Sequence, residues 1–340
     1  MLDVQNLTIE YTTAAGPLRA VEDVSFTLQR GESLGIVGES GCGKTTATRA
    51  LLRLLPKNGA ITAGRILFDG DDLVRKSDAE IRRLRHRHIA LISQSAMNAL
   101  NPVYTVGEQI KEGIRAHTRM SDQEARARCV EVFGLVGLEA KRLDSYPHQL
   151  SGGMKQRAVI AMALSLEPEI IVADEPTTAL DVVVQGRILQ RLRQIRERIS
   201  SSMIFITHDI SVVGESCETI IVMYGGRIME RADTRSFFRT PAHPYSMGLQ
   251  NAFPSIADIG HADLVSIPGS PPDLLAPQPG CRFRARCPFA DADACQTRTP
   301  PLLQVADRHW AACWYTDQAA GFRARARDHA TWRKAAADGR

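Results

Sequence analysis

The chain has 340 residues, 44% of them hydrophobic and 24% charged, and a formal net charge of +4 at pH 7; this is enough for a full-sized core and two domains but too weakly basic to indicate nucleic-acid binding. The sequence contains no apolar run of the roughly 18 residues that a membrane-spanning helix needs, and its first residues lack the apolar core of a signal peptide. We therefore expect a soluble, cytoplasmic protein, for which another chain must supply any path across a membrane.

The first predicted elements are a strand, a loop and a helix. Residues 33–37 are an apolar run suited to a buried strand, and residues 46–55 predict a helix. Between them, Gly38-Glu39-Ser40-Gly41-Cys42-Gly43-Lys44-Thr45 has the G-x-x-x-x-G-K-[ST] spacing of a loop whose backbone N–H groups curl around phosphates. We expect Lys44 to reach the β and γ phosphates and the Thr45 hydroxyl to hold Mg²⁺, with Cys42 as a spacer rather than a nucleophile.

The middle of the chain predicts polar surface elements. Residues 78–85 and 122–136 predict helices, and residues 94–109 between them predict a loop rich in apolar and amide side chains. No internal repeat is evident, so the chain carries a single copy of the phosphate loop.

A second candidate anion site follows at residues 151–156. Ser151 is predicted to be the N-cap of a helix that ends near Pro168, because apolar residues recur after it at i, i+4 spacing. A capped helix is the simplest interpretation. Alternatively, the Ser151 hydroxyl, the bare backbone of Gly152 and Gly153 and the helix N-terminus bind a phosphate. Since one nucleotide needs one such loop, this second site suggests a nucleotide held by a partner chain.

A buried strand predicted at residues 170–173 ends in two acids, Asp174 and Glu175. Open parallel sheets place ligand-facing carboxylates at such strand ends. We expect Asp174 to bind Mg²⁺ directly or through water, and Glu175 to polarise an attacking water.

Together with Ile206-Thr207-His208-Asp209, these motifs resemble the nucleotide-binding subunit of ATP-binding-cassette (ABC) transporters over about residues 1–250. The resemblance implies an α/β P-loop fold with an antiparallel β subdomain and a helical subdomain at about residues 80–160. It also implies two subunits packed head to tail, and a subunit competent for hydrolysis, because the core motifs match the family pattern.

The resemblance also implies roles for individual residues. Glu175, His208 and Lys44 would be catalytic, with His208 on the γ-phosphate. The ATP-binding residues would be Tyr11, which stacks on adenine, Ser40, Gly41, Cys42, Gly43, Lys44, Thr45, Thr46 and Gln94. The residues that contact the partner's ATP would be Ser151, Gly152, Gly153, Gln156 and Asp181. The Mg²⁺ ligands would be Thr45, Gln94 and Asp174, and Gln94 would also sense the transmembrane subunit.

Past residue 240 the sequence becomes Pro-rich and loop-like, which marks a domain boundary. Four strings resemble the dipeptide/oligopeptide branch of the ABC importers, namely His243-Pro244-Tyr245-Ser246, Ile267-Pro268-Gly269-Ser270-Pro271-Pro272-Asp273-Leu274-Leu275, Gly280-Cys281-Arg282-Phe283 and Arg286-Cys287-Pro288. The predicted domains are an ABC nucleotide-binding domain at 1–250, an extension at 251–320 and a basic tail at 321–340. We expect the tail to be a solvated helix or frayed end, with contact to an anionic membrane surface as the alternative.

Four of the seven cysteines lie in the extension, namely Cys281, Cys287, Cys295 and Cys313. In a cytosolic protein such clustering favours a metal over disulfides. The tight C-x₂₋₄-C pairs of structural zinc are absent, and the matching cysteines of family members bind a [4Fe–4S] cluster. We therefore expect a cluster with a structural role, and leave zinc or unmetallated thiols as alternatives. Cys42, Cys129 and Cys217 are isolated, and we expect them to be packing residues.

The leading hypothesis is an ATPase subunit that powers peptide import at the cytoplasmic face of the membrane. Its expected partners are two transmembrane permease subunits, a second and distinct ABC ATPase subunit and, indirectly, an extracytoplasmic solute-binding protein; no nucleic acid is expected. The alternatives are an ABC ATPase of DNA maintenance, or an importer for nickel, haem or another small solute. Only about a hundred residues, without heptads, separate the phosphate loop from Ser151, which argues against a chromosome-structuring protein.

Overall fold

The computed structural model describes residues 1–93, 99–177, 182–252, 267–328 and 330–333. The chain divides into two compact units. Unit 1 comprises Met1–Thr27, Leu34–Val74 and Thr207–Arg340, and unit 2 comprises Leu28–Ser33 and Arg75–Ile206.

The strands differ in length, from two to thirteen residues. They are β1 Leu2–Thr13, β2 Gly16–Leu28, β3 Ser33–Val37, β4 Gly59–Phe68, β5 Asp71–Asp72, β6 Ile89–Ile92, β7 Ile170–Asp174, β8 Ser202–Thr207, β9 Thr219–Tyr224, β10 Arg227–Asp233, β11 Leu303–Ala306 and β12 His309–Ala311.

The helices whose bounds lie within the described residues are α1 Lys44–Leu51, α2 Asp78–Leu84, α3 Val106–His117, α4 Asp122–Leu135, α5 Gly152–Leu164, α6 Val182–Ile199, α7 Ile210–Ser216, α8 Thr234–Arg239, α9 Pro244–Asn251, α10 Ala294–Thr297 and α11 Ala319–Ala326. Three of them, α2, α3 and α4, begin at complete capping boxes. In each box a Ser or Thr side chain and a Glu three residues later satisfy each other's backbone N–H groups.

Unit 1 contains two kinds of β structure. An antiparallel sheet has the order β2-β1-β4-β5, and β1 buries alternate residues, which is typical of a sheet with one covered face. The second set has the order β11-β12-β10-β9-β3. In it β3 and β9 are parallel and buried at every position, as strands covered on both faces are. The phosphate loop follows β3, so the first residue of the loop is held by a strand that is packed on both faces.

Unit 2 is built around parallel strands in the order β8-β7-β6. Every residue of β7 is buried, including the terminal Asp174. Helices α2 to α6 belong to the same unit. The parallel arrangement brings the carboxyl end of β7 beside that of β8, which positions Asp174 at the end of β7 and Glu175 directly after it.

Several predicted elements are confirmed and others are wrong at their bounds. The predicted strands match β3 and β7, and the predicted surface helices match α2 and α4. Helix α1 begins at Lys44, earlier than predicted, because Gly43 already serves as its N-cap. The predicted loop is wrong at its end: Val106 begins α3, after a capping box formed by Thr105 and Glu108.

The loop-like interpretation of the residues past 240 is also wrong in part. Helices α9 and α11 form there, and β12 pairs antiparallel with β10 in the register Glu230↔Ala311. A strand of three residues has too little periodicity to be found in a sequence, and it forms because β10 offers an edge.

The basic tail is not a solvated or frayed end where the structure describes it. Phe322 and Trp332 are buried, and the Phe322 ring stacks on Phe289 with a centroid distance of 4.2 Å. The Trp332 indole N–H donates to the carbonyl oxygen of Ala326 at 2.8 Å. The tail therefore belongs to the packed part of unit 1 up to residue 333.

Candidate functional site

The phosphate loop has backbone angles that require glycine. Gly43 has a φ of 101° as the N-cap of α1, and a Cβ there would come within 2.4 Å of the Ala20 carbonyl oxygen. A Cβ on Gly38 would meet the Met223 carbonyl oxygen at 2.1 Å. The motif glycines thus fix a backbone curl that no residue with a side chain could adopt without strain.

Lys44 lies within this curl. Its ammonium group donates to the carbonyl oxygens of Gly38 at 2.7 Å and Glu39 at 2.9 Å, and the residue is buried. The Cys42 sulfur lies 3.6 Å from the same ammonium group. Burial raises the pKa of the Cys42 thiol, which keeps it protonated and disfavours a nucleophilic role.

Ser40 and Gly41 are exposed at the tip of the loop, and Thr45 is half-buried at the start of α1. The side chains of Tyr11 and Thr46 meet, with 3.1 Å between the tyrosine hydroxyl and the threonine Oγ1. The structure therefore brings Tyr11, predicted to bind adenine, next to the helix that follows the loop.

In unit 2, Asp174 is buried at the end of β7 and Glu175 is half-buried directly after it. Glu175 has a φ of 47°, in the left-handed region, and its N–H donates to the carbonyl oxygen of Ile206 at 2.8 Å. A non-glycine residue in this conformation costs on the order of 1–3 kcal/mol, and such residues concentrate at functional sites. Sequence reasoning had no signal for this backbone conformation.

Ser151 is the N-cap of α5, as predicted, and its hydroxyl accepts from the Met154 N–H at 3.3 Å. Gly152 and Gly153 form the first turn and are half-buried. A cavity of about 360 Å³ opens beside Ser151 and Gly153 and is also lined by Arg157 and Arg187. The rest of the lining is largely apolar, and the two arginines place positive charge beside a helix N-terminus, the end of a helix that favours anions.

Gln156 is buried on the same helix, and its side-chain amide donates to the Pro176 carbonyl oxygen. In unit 1, His208 is exposed directly after β8, and Asp209 caps α7 by accepting from the Ser211 N–H at 2.9 Å. Gln94 and Asp181 lie outside the described residues.

The four cysteines of the extension line one cavity in unit 1. Burial is the largest cause of a raised pKa in each thiol, and it brings the pKa of Cys281 to about 11. Hydrogen bonds from the main chain at Phe283 and Phe289 act in the opposite direction on Cys281 and Cys287. The Tyr315 N–H likewise points at the Cys313 sulfur, at 3.4 Å.

Within the described ranges, the structure has no group of three or more His, Cys, Asp or Glu side chains placed to hold one metal ion. The geometry of the described residues therefore does not support the expected [4Fe–4S] cluster, or a single metal ion, at the four cysteines. Cys42, Cys129 and Cys217 are buried apart from these four, as expected of packing residues.

Comparison with known proteins places these features in a family. Residues 21–178 match the model of the ABC transporter family, and residues 229–295 match that of the oligopeptide/dipeptide transporter C-terminal region. The dipeptide transport ATP-binding protein DppD of Bacillus subtilis is 46% identical over 94% of this chain and 96% of its own length. The chain belongs to the ABC transporter family.

Further relatives agree with this assignment. The oligopeptide transport ATP-binding protein OppD of Bacillus subtilis is 41% identical over 92% of this ABC protein and 88% of its own length. The solved structure of the ATP-binding cassette MJ0796, a dimer in a post-hydrolysis state bound to ADP and Pi, aligns with a TM-score of 0.63 and 31% identity. The alignment covers 69% of this chain and 99% of the MJ0796 chain.

These findings confirm the predicted α/β P-loop ABC fold, and they assign the chain to the ABC ATPases with an oligopeptide/dipeptide C-terminal region. They do not favour the DNA-maintenance alternative. None of the helices in the described parts of the chain has the length and apolar character needed to cross a bilayer. As an ABC transporter subunit, it works with membrane permeases.

Proposed function

We propose that this chain is the ATP-hydrolysing subunit that powers import of peptides of the dipeptide or oligopeptide class. The observation that carries the proposal is the match of residues 229–295 to the oligopeptide/dipeptide C-terminal region, on a chain that resembles DppD over 94% of its length. The ATP motifs alone are common to all ABC proteins. The C-terminal region distinguishes this branch.

The proposed chemistry divides between the two units. In unit 1, Lys44 and the loop N–H groups hold the phosphates, Tyr11 contacts the adenine and His208 the γ-phosphate. The residues that would hold Mg²⁺ are Thr45, Gln94 and Asp174, and Glu175 would orient the attacking water and accept its proton. When bound, Mg²⁺ neutralises charge that develops on the phosphate oxygens.

A second ABC ATPase subunit completes the site in this proposal. Ser151, Gly152, Gly153, Gln156 and Asp181 would contact ATP held by the partner, and Arg157 and Arg187 bring positive charge to the cavity beside Ser151. Groups supplied in trans to phosphoryl transfer contribute about 10³ to 10⁵ in rate. We therefore expect the isolated chain to be a poor ATPase. The full assembly would contain two permeases, a distinct second ATPase and an extracytoplasmic solute-binding protein, with this chain at the cytoplasmic face.

We further propose that Cys281, Cys287, Cys295 and Cys313 hold a [4Fe–4S] cluster that stabilises the extension. Two features support it: the four thiols line one cavity, and each of the four sulfurs has a hydrogen bond from the main chain. Because each thiolate of a cluster binds a different iron, the sulfurs need not converge on one point, as zinc ligands must. Four sulfurs of this kind would tie together a segment that is poor in regular structure.

The transport proposal is tested by affinity purification of this chain from detergent-solubilised membranes of its host, followed by mass spectrometry. A Lys44→Ala variant, which lacks the lysine expected to bind the phosphates, is purified in parallel, because we expect assembly to need the surface of the chain rather than bound ATP. Recovery of two polytopic membrane proteins and a second ABC ATPase with both chains is the expected result. Recovery of soluble or DNA-bound partners without any permease would contradict the proposal.

A further inference from the structure

Glu39, the second residue of the phosphate loop, is held from three directions within unit 1. Its N–H donates to the Tyr245 hydroxyl at 3.0 Å. Its carboxylate accepts from the Arg286 guanidinium at 2.7 Å. Its carbonyl oxygen accepts from the Lys44 ammonium group at 2.9 Å. Two of the three partners belong to the C-terminal part of the chain, and the motif pattern assigns Glu39 no role.

Arg286 is immobilised for this contact. Its Nε donates to the Pro268 carbonyl oxygen at 2.8 Å, and its Nη2 donates to the Ile267 carbonyl oxygen at 3.1 Å. Its Nη1 also donates to the Tyr224 hydroxyl at 3.2 Å. The side chain is only 6% exposed. An arginine bonded along both edges of its guanidinium group has one orientation, and that orientation faces Glu39.

Tyr245 is equally fixed. Its ring is fully buried against Tyr224 and Phe283, with centroid distances of 4.6 and 5.2 Å. Its N–H donates to the Nδ1 of His243 at 3.0 Å, and the His243 N–H donates to the buried carboxylate of Glu230 at 2.8 Å. A continuous set of buried contacts therefore places the tyrosine hydroxyl at the loop.

Residues of three strings that distinguish the C-terminal part of the sequence thus act on Glu39, two of them directly and the third through Arg286. His243-Pro244-Tyr245 supplies the hydroxyl, Arg286 of Arg286-Cys287-Pro288 supplies the charge, and Ile267-Pro268 supplies the carbonyl oxygens that orient that charge. The ATP-binding motifs of the chain leave these strings unexplained.

We propose that Arg286 and Tyr245 are positioning residues through which the C-terminal region fixes the phosphate loop for ATP. The inference rests on the proposed ATPase function. The Glu39 carboxylate is an anion in a loop that must accept phosphates, and like charges at close range repel. Arg286 binds this carboxylate and offsets its charge, while Tyr245 holds the backbone beside it. A loop fixed before ATP arrives loses less conformational entropy when ATP binds.

The test measures Mg²⁺-dependent binding of a fluorescent ATP analogue to the full-length chain. We expect Arg286→Gln to weaken binding on the order of tenfold, equivalent to about 1.4 kcal/mol. Tyr245→Phe, which keeps the ring and removes the hydroxyl, should weaken it by a smaller factor. Arg282→Gln is the matched control, because this arginine is 8% exposed and bonds Glu22 rather than the loop. It should bind the analogue like the parent chain.

Two further readouts separate positioning from a loss of folding. A second substitution, Glu39→Gln, made in the Arg286→Gln chain should recover part of the lost affinity, because it removes the carboxylate that Arg286 offsets. In the assembled complex, Arg286→Gln should raise the KM for ATP with little change in kcat.

The outcomes are distinct. Affinity that falls for Arg286→Gln and Tyr245→Phe but not for Arg282→Gln supports the inference. Equal affinity in all chains, or an equal loss in Arg286→Gln and Arg282→Gln, overturns it. A parent chain that binds no ATP analogue overturns the proposed ATPase function itself, and this inference with it.

Discussion

The side chain of Gln156 donates a hydrogen bond to the carbonyl oxygen of Pro176, the residue that directly follows Glu175. It joins the helix that begins at Ser151 to the loop that carries the proposed catalytic acid. Glu175 has a left-handed backbone conformation with a φ of 47°, and its own N–H bonds Ile206. Two hydrogen bonds therefore flank a strained residue and hold it in place.

Gln156→Ala should lower the free energy of unfolding by about 1–3 kcal/mol, because it leaves a buried carbonyl oxygen without its partner. It should also lower kcat of the assembled complex, since Glu175 loses one of its restraints. Urea denaturation measures the first effect. Gln190→Ala, at an exposed position of α6, is the control and should stay within about 0.5 kcal/mol of the parent. Equal stability of the two variants would show that the Gln156 bond is unimportant.

Gly43→Ala should abolish binding of ATP analogues, because its methyl group would lie within 2.4 Å of the Ala20 carbonyl oxygen and displace the loop. Gly70→Ala is the control, because it introduces the same kind of backbone strain without a clash. Gly70 also has a positive φ, of 89°, but a Cβ there meets nothing within 4 Å. Equilibrium binding should be normal for Gly70→Ala and absent for Gly43→Ala. Normal binding by both would mean that the loop tolerates displacement.

The stability of unit 1 should fall on acidification because of His243. Burial lowers the pKa of this imidazole from 6.5 to about 4, although the negative charge of Glu230 acts to raise it. Between these two pH values the unfolded chain binds a proton at His243 and the folded chain does not. The contribution of His243 to the free energy of unfolding is therefore complete above about pH 6.5 and is lost as the pH falls towards 4. The loss at pH 5 is about 2 kcal/mol.

His243→Asn tests this pH dependence. Asparagine can still cap α9 with its side-chain oxygen, but it takes up no proton. Urea unfolding near pH 7.5 and near pH 5 should therefore show a smaller loss of stability in the variant, by about 2 kcal/mol. All other titrating groups are common to the two chains. The same loss in both would remove His243 from the explanation.

The part of the fold that local sequence determines could be predicted. The phosphate loop, the N-cap at Ser151 and the strand before Asp174 depend on residues adjacent in the chain, and all three stand where they were expected. The start of α3 could have been predicted too, because Thr105 and Glu108 have the spacing of a capping box.

What could not be predicted depends on residues far apart in the sequence. Arg286 bonds Glu39, which lies 247 positions earlier in the sequence. Strand β12 forms because β10 has a free edge for it to pair with. The proline-rich composition of the C-terminal part indicates loops, but its burial is decided by aromatic partners such as Tyr224. Composition cannot reveal such partners.

Cys287→Ser should remove iron and acid-labile sulfide from the purified chain and make the extension sensitive to protease, because a cluster would lose one of its four ligands. Cys217→Ser, at a buried cysteine outside the group, is the control and should retain iron. Metal analysis of the anaerobically purified parent distinguishes iron from zinc. A parent chain without iron, or a Cys287→Ser extension as resistant as the parent's, would contradict a structural cluster.

The central claim is that ATP hydrolysis at Glu175 of this chain powers peptide import. The most direct test is uptake of labelled dipeptides and oligopeptides by host cells that lack the chain and carry either the parent or Glu175→Gln, at equal amounts in the membrane. We expect the parent to restore uptake, and Glu175→Gln to bind ATP and assemble with the permeases but to restore almost none. Uptake with Glu175→Gln equal to that of the parent would contradict it.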